Sequence, residues 1–238
     1  FKFPAILKTA SFGYDGKGQT VCHTAEEVRA AFSELGTSCI LEQRIDLAKE
    51  ISVVLARSQQ GESHCFPVAE NEHVNGILDV SIAPAGISDQ LQEQAQHDAM
   101  VIARSLNYCG VLAVEFFISE RGELLVNEIA PRPHNSGHYT LDACYTSQFE
   151  QQVRMICGLA SGDVRLHTPV AMLNLLGDIW PDQGCPEWDR LLEMDAAHLH
   201  LYGKKHARIG RKMGHINFLS ESTNTAKALL SEARANLK

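Results

Sequence analysis

Hydrophobic and polar positions change period several times along the first 130 residues. Apolar runs and two-residue alternation are typical of strands. Four such runs are predicted strands: Ala5–Lys8, Thr20–Cys22, Cys39–Ile45 and Glu50–Arg57. A fifth run, Gly61–Ala69, could pair with Glu50–Arg57, whereas the polar stretch Asn71–Gly86 predicts mostly loop.

Three segments carry the start and stop signals of helices. Thr24-Ala-Glu-Glu27 is a capping box and predicts a helix that ends at Gly36. Ser88 or Asp89 caps a longer predicted helix, and Ser147-x-x-Glu150 opens another that runs to Gly158. The apolar face of the longer helix consists of Leu91, Ala95, Ala99, Ile102 and Leu106.

The stretch VLAVEFFISERGELLVNE, from Val111 to Glu128, predicts a β-hairpin. With Arg121-Gly122 as a two-residue loop, counting outward places Glu115 opposite Glu128. Because facing like charges are destabilising, this pair indicates a cation between them. Oxygen ligands favour Mg²⁺, which typically uses one or two carboxylates and nucleotide phosphates, and Asn127 adds an amide oxygen. The alternative is a pair of solvated glutamates on an edge strand.

The pattern changes near Thr168-Pro169. Short alternating runs at Ala171–Leu176, Ala197–Tyr202 and Gly214–Leu219 predict strands. A final helix carries Ala226, Leu229, Leu230 and Ala233. The prediction is therefore a first domain over residues 1–168 and a small β-rich C-terminal domain over residues 169–238.

Composition excludes several classes of function. The 238 residues are 45% hydrophobic with a net charge of −8, so there is no basic footprint for nucleic acid. No apolar run reaches membrane-spanning length. The seven cysteines are scattered without a Cys-x-x-Cys pair, which predicts reduced thiols and a cytoplasmic protein. Zinc at His134/His138 or at His198/His200 would lack the further ligands that a structural site needs.

A glycine-rich loop follows the first predicted strand. Glycines at 13, 16 and 18, in Gly13-Tyr-Asp-Gly-Lys-Gly-Gln19, allow backbone N–H groups to approach phosphate oxygens. Lys8, at the end of that strand, would add an ammonium group. A flexible surface hairpin and a solvated lysine are the alternatives.

Three further segments carry candidate binding chemistry. Backbone groups around Gln43–Ile45 could pair with an adenine edge, and Glu50 could accept ribose hydroxyls. The loop Asn127–His138 combines the planar fork of Arg132 with the imidazole of His134, although its side chains could also satisfy one another. The basic run Lys204–Lys212 could receive a phosphorylated substrate or be a solvated charge run.

Taken together, these motifs resemble the ATP-grasp superfamily and, more closely, the N5-carboxyaminoimidazole ribonucleotide synthases. Strings that carry the resemblance are Lys8 with Gly13–Gln19, Glu42-Gln-Arg-Ile45 with Glu50, Ala69–His73, Asn127–Thr140 and Gly210–His215. The resemblance implies an α+β protein, with an ATP-grasp fold followed by the small β-rich domain. It also implies that ATP, with Mg²⁺, phosphorylates bicarbonate to carboxyphosphate, which carboxylates 5-aminoimidazole ribonucleotide.

The resemblance assigns roles to residues. Glu115 and Glu128 would hold Mg²⁺, and Arg132 and His134 would position the carboxyphosphate. Lys205 and Arg211 would meet the phosphate side of the ribonucleotide, and Tyr14 and Asp15 would lie near its aminoimidazole. The ATP-binding set would be Lys8, Gly13, Gly16, Gln19, Glu42, Gln43, Ile45, Glu50, His73 and Asn127.

Two departures from the family accompany the resemblance. The family's N-terminal Rossmann-like domain is expected to be missing here, because the sequence starts at Phe1 directly before a strand. Ile209 stands where the family usually has proline. The full-length protein is expected to be a homodimer. A truncated, non-catalytic Mg-ATP-binding module and another ATP-grasp ligase are the alternatives, although the Arg132–Gly137 string argues against the second.

Overall fold

The computed structural model describes residues 2–11, 17–181 and 183–237. They form two antiparallel sheets, with helices on both faces of the larger one, so the predicted α+β class is confirmed. Strands of the three-stranded sheet are β1 (Ala5–Thr9), β2 (Gln19–Cys22) and β3 (Cys39–Gln43), in the order β2-β1-β3.

The larger sheet has nine strands. They are β4 (Leu47–Arg57), β5 (Ser63–Cys65), β6 (Ala69–Val74), β7 (Ile77–Ala83), β8 (Gly110–Ser119), β9 (Leu124–Ala130), β10 (Val170–Leu176), β11 (Ala197–Leu201) and β12 (Lys212–Leu219). Their order is β11-β12-β10-β7-β6-β4-β8-β9, and β5 pairs with β4. The strands on either side of residue 168 thus share one sheet, because β10 pairs with β7.

Helices begin where the sequence places their caps. Thr24, Ser88 and Ser147 each accept a hydrogen bond from the backbone N–H three residues on, as the capping rule predicts. Gly36 ends the first helix at a φ of +60°, a conformation that glycine adopts without strain. The helices are α1 (Ala25–Leu35), α2 (Asp89–Ser105), α3 (Thr140–Ala143), α4 (Gln148–Ile156), α5 (Asp189–Leu192) and α6 (Thr223–Asn236).

The two faces of the large sheet have different neighbours. Ile51, Val53 and Leu55 of β4 pack with the alanines of α2, and the odd-numbered apolar residues of β10 pack with α6. Val54 and Ala56, on the opposite face of β4, pack with Met155 of α4. Because side chains alternate along a strand, Glu50 and Ser52 share this second face with Val54. We refer to it as the α4 face.

Two local predictions are wrong. The stretch predicted as loop, Asn71–Gly86, contains most of β6 and all of β7. Two of its polar residues, Asn71 and Ser81, are buried in the sheet, where they are directly paired and hydrogen-bonded to each other. The segment Pro131–Tyr145 is polar, has two prolines and shows no helix or strand period, which predicts a loop. It instead contains a 3-10 turn at Asn135–Gly137 and the short helix α3.

The hairpin of β8 and β9 reaches the predicted pairing by a different route. Ile118 faces Leu124, so the loop is three residues long, 120–122, instead of the predicted two. The register then shifts by one residue between Phe116 and Glu115. Phe116 faces Val126 and Glu115 faces Glu128, which leaves Asn127 as the extra residue of a β-bulge. The predicted opposition of Glu115 and Glu128 is therefore confirmed, although the predicted loop is wrong.

No helix in the described part of the chain is long and apolar enough to cross a membrane. All seven cysteines lie in the described ranges, and each is a free thiol.

Candidate active site

A cluster of titratable side chains lies on the α4 face near the carboxylate pair. β4 occupies the middle of the cluster, since Glu50 faces Asn71 on β6 and Ser52 faces Glu115 on β8. The loop after β9 brings His134 to the same place, with its Nε2 3.6 Å from Glu115 Oε1. Most of these polar groups are therefore positioned by paired strands and not by loops alone.

Among the described carboxyl groups, Glu115 has the most strongly shifted pKa. It is only 9% exposed, and burial followed by the charge of Glu128 raises its pKa to about 7, against the opposing charges of His73 and Lys212. A divalent cation would offset both effects on the pKa of Glu115, because it favours the charged form of each carboxylate. Asn127, the extra residue of the bulge, precedes Glu128 on the strand that faces Glu115.

This donor set fits Mg²⁺, which needs few protein carboxylates when nucleotide phosphates and water complete its shell. In the ranges that the structure describes, no group of three or more His, Cys, Asp or Glu side chains is arranged to hold a metal ion by itself.

His134 lies next to Glu115 of the carboxylate pair, and its other ring nitrogen is hydrogen-bonded to the loop that carries it. Its Nδ1 accepts a hydrogen bond from the backbone N–H of Ser136, as the N-cap of the 3-10 turn. Burial, followed by the charges of Arg132 and Lys212, lowers the pKa of His134 to about 3. The imidazole is therefore neutral at physiological pH. Arg132 is exposed, and its guanidinium donates to the carbonyl of Pro133.

Glu50 and His73 form a second carboxylate–histidine contact, between Glu50 Oε2 and His73 Nδ1. Burial alone would lower the pKa of His73, but the hydrogen bond and charge of Glu50 raise it. Both residues line a cleft of 360 Å³ between β4 and β6. Glu50 and His73, predicted to bind ATP, thus share one concave surface.

Lys8, Gln19 and Glu42 lie together on the three-stranded sheet. Lys8 faces Gln19 across β1 and β2, and its Nζ is 2.5 Å from Glu42 Oε2. Gln43 faces Ala5 at the end of β3, and Ile45 follows in the segment that leads to the large sheet. The predicted ATP-binding residues are thus divided between the two sheets. Four predicted site residues, Gly13, Tyr14, Asp15 and Gly16, lie outside the described residues.

The basic segment between β11 and β12 folds over the end of β10. Gly177 donates its N–H to the carbonyl of Arg211 at 2.8 Å, and the side chain of Asp178 accepts from Gly210 N–H at 2.7 Å. Arg211 donates to the carbonyl of His206, whereas Lys205 is exposed and has no described contact with the carboxylate cluster. These contacts hold the backbone of the basic segment against the residues that follow β10.

Several residues of the site were not predicted. Lys212 is the cation whose charge acts on Glu115, His73 and His134. Its only signal was its position beside Arg211 in a basic run. Gln148, which bonds the backbone of His134, looked like an ordinary first-turn residue of a helix.

A separate histidine cluster joins the C-terminal strands to α3. The rings of His200 and His215 stack with centroids 4.5 Å apart, and His138 lies 4.8 Å from His215. Asp142 accepts from Asn217 and contacts His200 Nε2 at 2.8 Å. Burial, followed by neighbouring positive groups, lowers the pKa of His138 to about 4 and that of His215 to about 2.

Comparison with known proteins gives two adjacent family matches. A model described as "ATP-grasp domain" matches residues 1–149. Another, described as "Phosphoribosylaminoimidazole carboxylase C-terminal domain", matches residues 170–229. The boundary between residues 168 and 169 stays a prediction.

Among individual proteins, the N5-carboxyaminoimidazole ribonucleotide synthase of Bacillus subtilis is 50% identical over 222 residues, or 92% of this chain and 57% of that protein. A solved N5-carboxyaminoimidazole ribonucleotide synthetase in complex with ADP is 44% identical, with a TM-score of 0.87 over 97% of this chain and 60% of the other.

A more distant structure, N5-carboxyaminoimidazole synthase from Aspergillus clavatus in complex with ADP and 5-aminoimidazole ribonucleotide, is 27% identical. Its TM-score is 0.88 over 99% of this chain and 62% of the other. The chain thus spans less than two thirds of the length of each of these relatives.

Proposed function

Because the chain belongs to the ATP-grasp family, we propose that it carries the nucleotide-binding and carboxylating site of an N5-carboxyaminoimidazole ribonucleotide synthase. The substrates are ATP, bicarbonate and 5-aminoimidazole ribonucleotide, and Mg²⁺ is the cofactor. One observation carries the proposal: the Glu115/Glu128 pair, the His134 imidazole and the Lys212 charge meet on one face of the large sheet.

The reaction has two steps. A bicarbonate oxygen attacks the γ-phosphorus of ATP, and ADP leaves. The exocyclic amine of the ribonucleotide then forms a bond to the carboxyl carbon while the bond from that carbon to the phosphate oxygen breaks, and the amine nitrogen loses a proton. Negative charge develops on phosphoryl and carboxyl oxygens in both steps, so positioned donors and cations lower the barriers.

The nucleotide side uses groups from both sheets. Glu50, in the cleft with His73, accepts hydrogen bonds from the ribose hydroxyls, and backbone groups of Gln43–Ile45 meet the adenine edge. Lys8 contacts the phosphates, at the cost of its present ion pair with Glu42. Glu115 and Glu128, with Asn127 next to Glu128 in sequence, would hold Mg²⁺, which when bound would supply positive charge near the phosphate oxygens.

The transfer side uses the loop after β9 and the basic segment. Arg132 presents two parallel donors to an oxyanion, which suits a carboxylate or phosphate better than a point charge does. His134, neutral, donates a hydrogen bond and does not take a proton. Arg211 and Lys205 contact the phosphate group of the ribonucleotide. Lys212 adds a positive charge between the nucleotide side and the transfer side of the site.

Two further parts of the proposal concern the cellular compartment and the oligomeric state. The unpaired thiols suit a reducing compartment, so we place the reaction in the cytoplasm. We also propose that the full-length protein is a homodimer, which sedimentation would test.

The test measures ADP formation by the full-length protein that contains this sequence, and by the chain itself. ADP release that requires bicarbonate and 5-aminoimidazole ribonucleotide together supports the proposal. Release that requires a different acceptor would indicate another ATP-grasp ligase. Mg-ATP binding without turnover in the full-length protein would indicate a non-catalytic nucleotide-binding module.

A further inference from the structure

We propose that Ser136, at the end of a buried hydrogen-bond chain from Ser81 through Asn71 and Ser52, is a positioning residue for His134. These hydrogen bonds hold the His134 imidazole as the tautomer with an unprotonated Nδ1 and a proton on Nε2, the nitrogen that faces Glu115. The significance of this donor for catalysis rests on the proposed function, whereas the tautomer itself does not.

The tautomer follows from a backbone group. The N–H of Ser136 lies 3.3 Å from His134 Nδ1 and can only donate, so Nδ1 must accept. The hydroxyl of Ser136 lies 2.9 Å from the same nitrogen. Because the N–H and the hydroxyl of Ser136 both donate to Nδ1, the proton of the neutral ring is on Nε2.

The hydroxyl of Ser136 has a defined direction because of the residues behind it. Ser81 donates to Asn71 Oδ1 at 2.7 Å, Asn71 Nδ2 donates to Ser52 Oγ at 2.9 Å, and Ser52 donates to Ser136 Oγ at 2.8 Å. Since Ser136 Oγ accepts the hydrogen bond from Ser52, its own O–H is free to donate to His134 Nδ1. We call this sequence of four side chains the Ser81–Ser136 relay.

The relay is buried throughout. Ser81 and Ser136 are 0% exposed, Ser52 1% and Asn71 5%. Water therefore does not compete for these groups, and a fully satisfied buried network favours one arrangement. The residues come from four separate parts of the chain, so the relay ties β7, β6 and β4 to the loop that carries His134.

Gln148 fixes the backbone of the same residue. Its amide oxygen accepts from the N–H of His134 at 2.8 Å, and its amide nitrogen donates to the carbonyl of His134 at 2.7 Å. Gly137 allows this approach, because a Cβ there would lie 2.6 Å from Gln148 Oε1. With backbone and Nδ1 both held, the direction of the Nε2–H is set before any ligand binds.

The separation of 3.6 Å between His134 Nε2 and Glu115 Oε1 is longer than a hydrogen bond. The donor is thus available to an oxygen that enters beside the carboxylate pair. A ring in this tautomer offers no lone pair at Nε2, so it can stabilise an oxyanion but cannot remove a proton there.

The experiment reads the tautomer directly. The ring nitrogens of the chain labelled with 15N-histidine are observed by NMR near neutral pH without substrate, and the His134 signals are assigned by their loss in His134→Gln. We expect a protonated Nε2 and a bare Nδ1. Ser136→Ala should shift the tautomer ratio toward Nδ1–H by roughly fivefold, the size of one net hydrogen bond. Ser58→Ala, at a serine of similar burial outside the relay, should leave the ratio unchanged.

A second variant tests the distant part of the relay. Asn71→Asp offers two acceptors and should draw the proton of Ser52 away from Ser136, so that the ratio shifts in the same direction. Its control is Asn174→Asp, at another buried asparagine outside the relay. If Asn71→Asp does not fold, Ser52→Ala, which removes the hydrogen bond to Ser136 Oγ, should shift the ratio in the same direction, and an unchanged ratio would overturn the relay.

Three further outcomes overturn the proposal. A proton on Nδ1 in the unaltered chain would overturn the tautomer, and an unchanged ratio in Ser136→Ala would overturn the role of that serine. A shift in Asn174→Asp as large as in Asn71→Asp would overturn the relay. Since no substrate is present, failure of the proposed carboxylation would leave all of these results as they are.

Discussion

Glu128 is exposed and lies opposite the buried Glu115, so its substitution should have different effects with and without the metal. Glu128→Gln removes the neighbouring charge that helps to raise the pKa of Glu115. We expect Mg-ATP binding to weaken, while the metal-free fold is unchanged or gains up to ~1 kcal/mol because a facing like-charge pair is lost. Calorimetry with Mg-ATP and thermal unfolding without metal measure the two effects.

The matched control is Glu120→Gln, which removes an exposed carboxylate from the loop of the same hairpin. It should leave the affinity for Mg-ATP unchanged. If the double variant of Glu115→Gln and Glu128→Gln binds Mg-ATP as well as the unaltered chain, the assignment of this pair to the metal is wrong.

Arg132 offers a test of geometry at constant charge. Arg132→Lys keeps the positive charge but loses the two parallel donors, so we expect carboxylation in the full-length protein to fall by about 10²-fold while ATP binding persists. Arg121→Lys, in the exposed hairpin loop, should change neither. Near-normal carboxylation in Arg132→Lys would mean that its fork does not contact the transferring group.

Single residues were predictable where their chemistry was unusual in the sequence. Two glutamates at facing positions of an apolar hairpin are costly, and that cost identified Glu115 and Glu128. Ser52 and Asn71 were missed because isolated polar residues are common in strands and loops alike. Only the pairing of β4 with β6 brings them together, and that pairing joins residues far apart in sequence.

At the scale of elements, caps and turn glycines were predictable because their signals are local. The strands β6 and β7 were missed because Asn71 and Ser81 resemble loop residues until their mutual hydrogen bond is known. The hairpin loop was predicted one residue too short, and the bulge at Asn127 compensated for the error. A bulge has no local sequence signal as clear as that of a turn.

The basic loop between β11 and β12 depends on close packing against Gly177. A Cβ at this position would lie 2.6 Å from the backbone nitrogen of Arg208 and closer still to its carbonyl oxygen. We expect Gly177→Ala to destabilise the protein by ~1–3 kcal/mol, as overpacking does, and to raise the KM for the ribonucleotide more than that for ATP. Unfolding and steady-state kinetics of the full-length protein measure these changes.

Gly86→Ala is the corresponding control, since its Cβ would meet only the side-chain ends of Glu70 and Lys49. An equal rise of both KM values in Gly177→Ala would show that the loop does not serve the ribonucleotide in particular.

For the whole molecule, the buried histidines make stability depend on pH. His138 and His215 have folded pKa values of about 4 and about 2, below the ordinary 6.5. At these two histidines the unfolded chain therefore binds more protons below pH 6.5, so their contribution to stability is fully present above that value and is lost as the pH falls toward the folded values. Each such proton contributes a slope of at most ~1.4 kcal/mol per pH unit.

His215 faces His138, His200 and Tyr202, so His215→Gln should reduce this slope. Urea unfolding between pH 7 and pH 4.5 measures it. His97→Gln, at an exposed position on α2, should keep the slope of the unaltered chain. An equal slope in His215→Gln would show that this ring is not a source of the acid sensitivity.

The architecture of the whole molecule was only partly predictable. A change of pattern near residue 168 correctly located three C-terminal strands, but it could not show that β10 pairs with β7. That pairing joins Val170 to Ala83 across a long stretch of chain, and local patterns carry no information about such partners.

The division of the chain into two sheets has a consequence for how the protein responds to its nucleotide. Among the described residues, no strand pairing connects the three-stranded sheet, which carries Lys8 and Gln19, to the sheet that carries Glu50 and Glu115. An ATP molecule that contacts all four residues, as proposed above, would link two sheets that share no strand pairing in the described part of the chain. Its binding should therefore suppress their relative motion and slow amide hydrogen exchange in β1 to β3, far more than in the continuous strands β4 and β8.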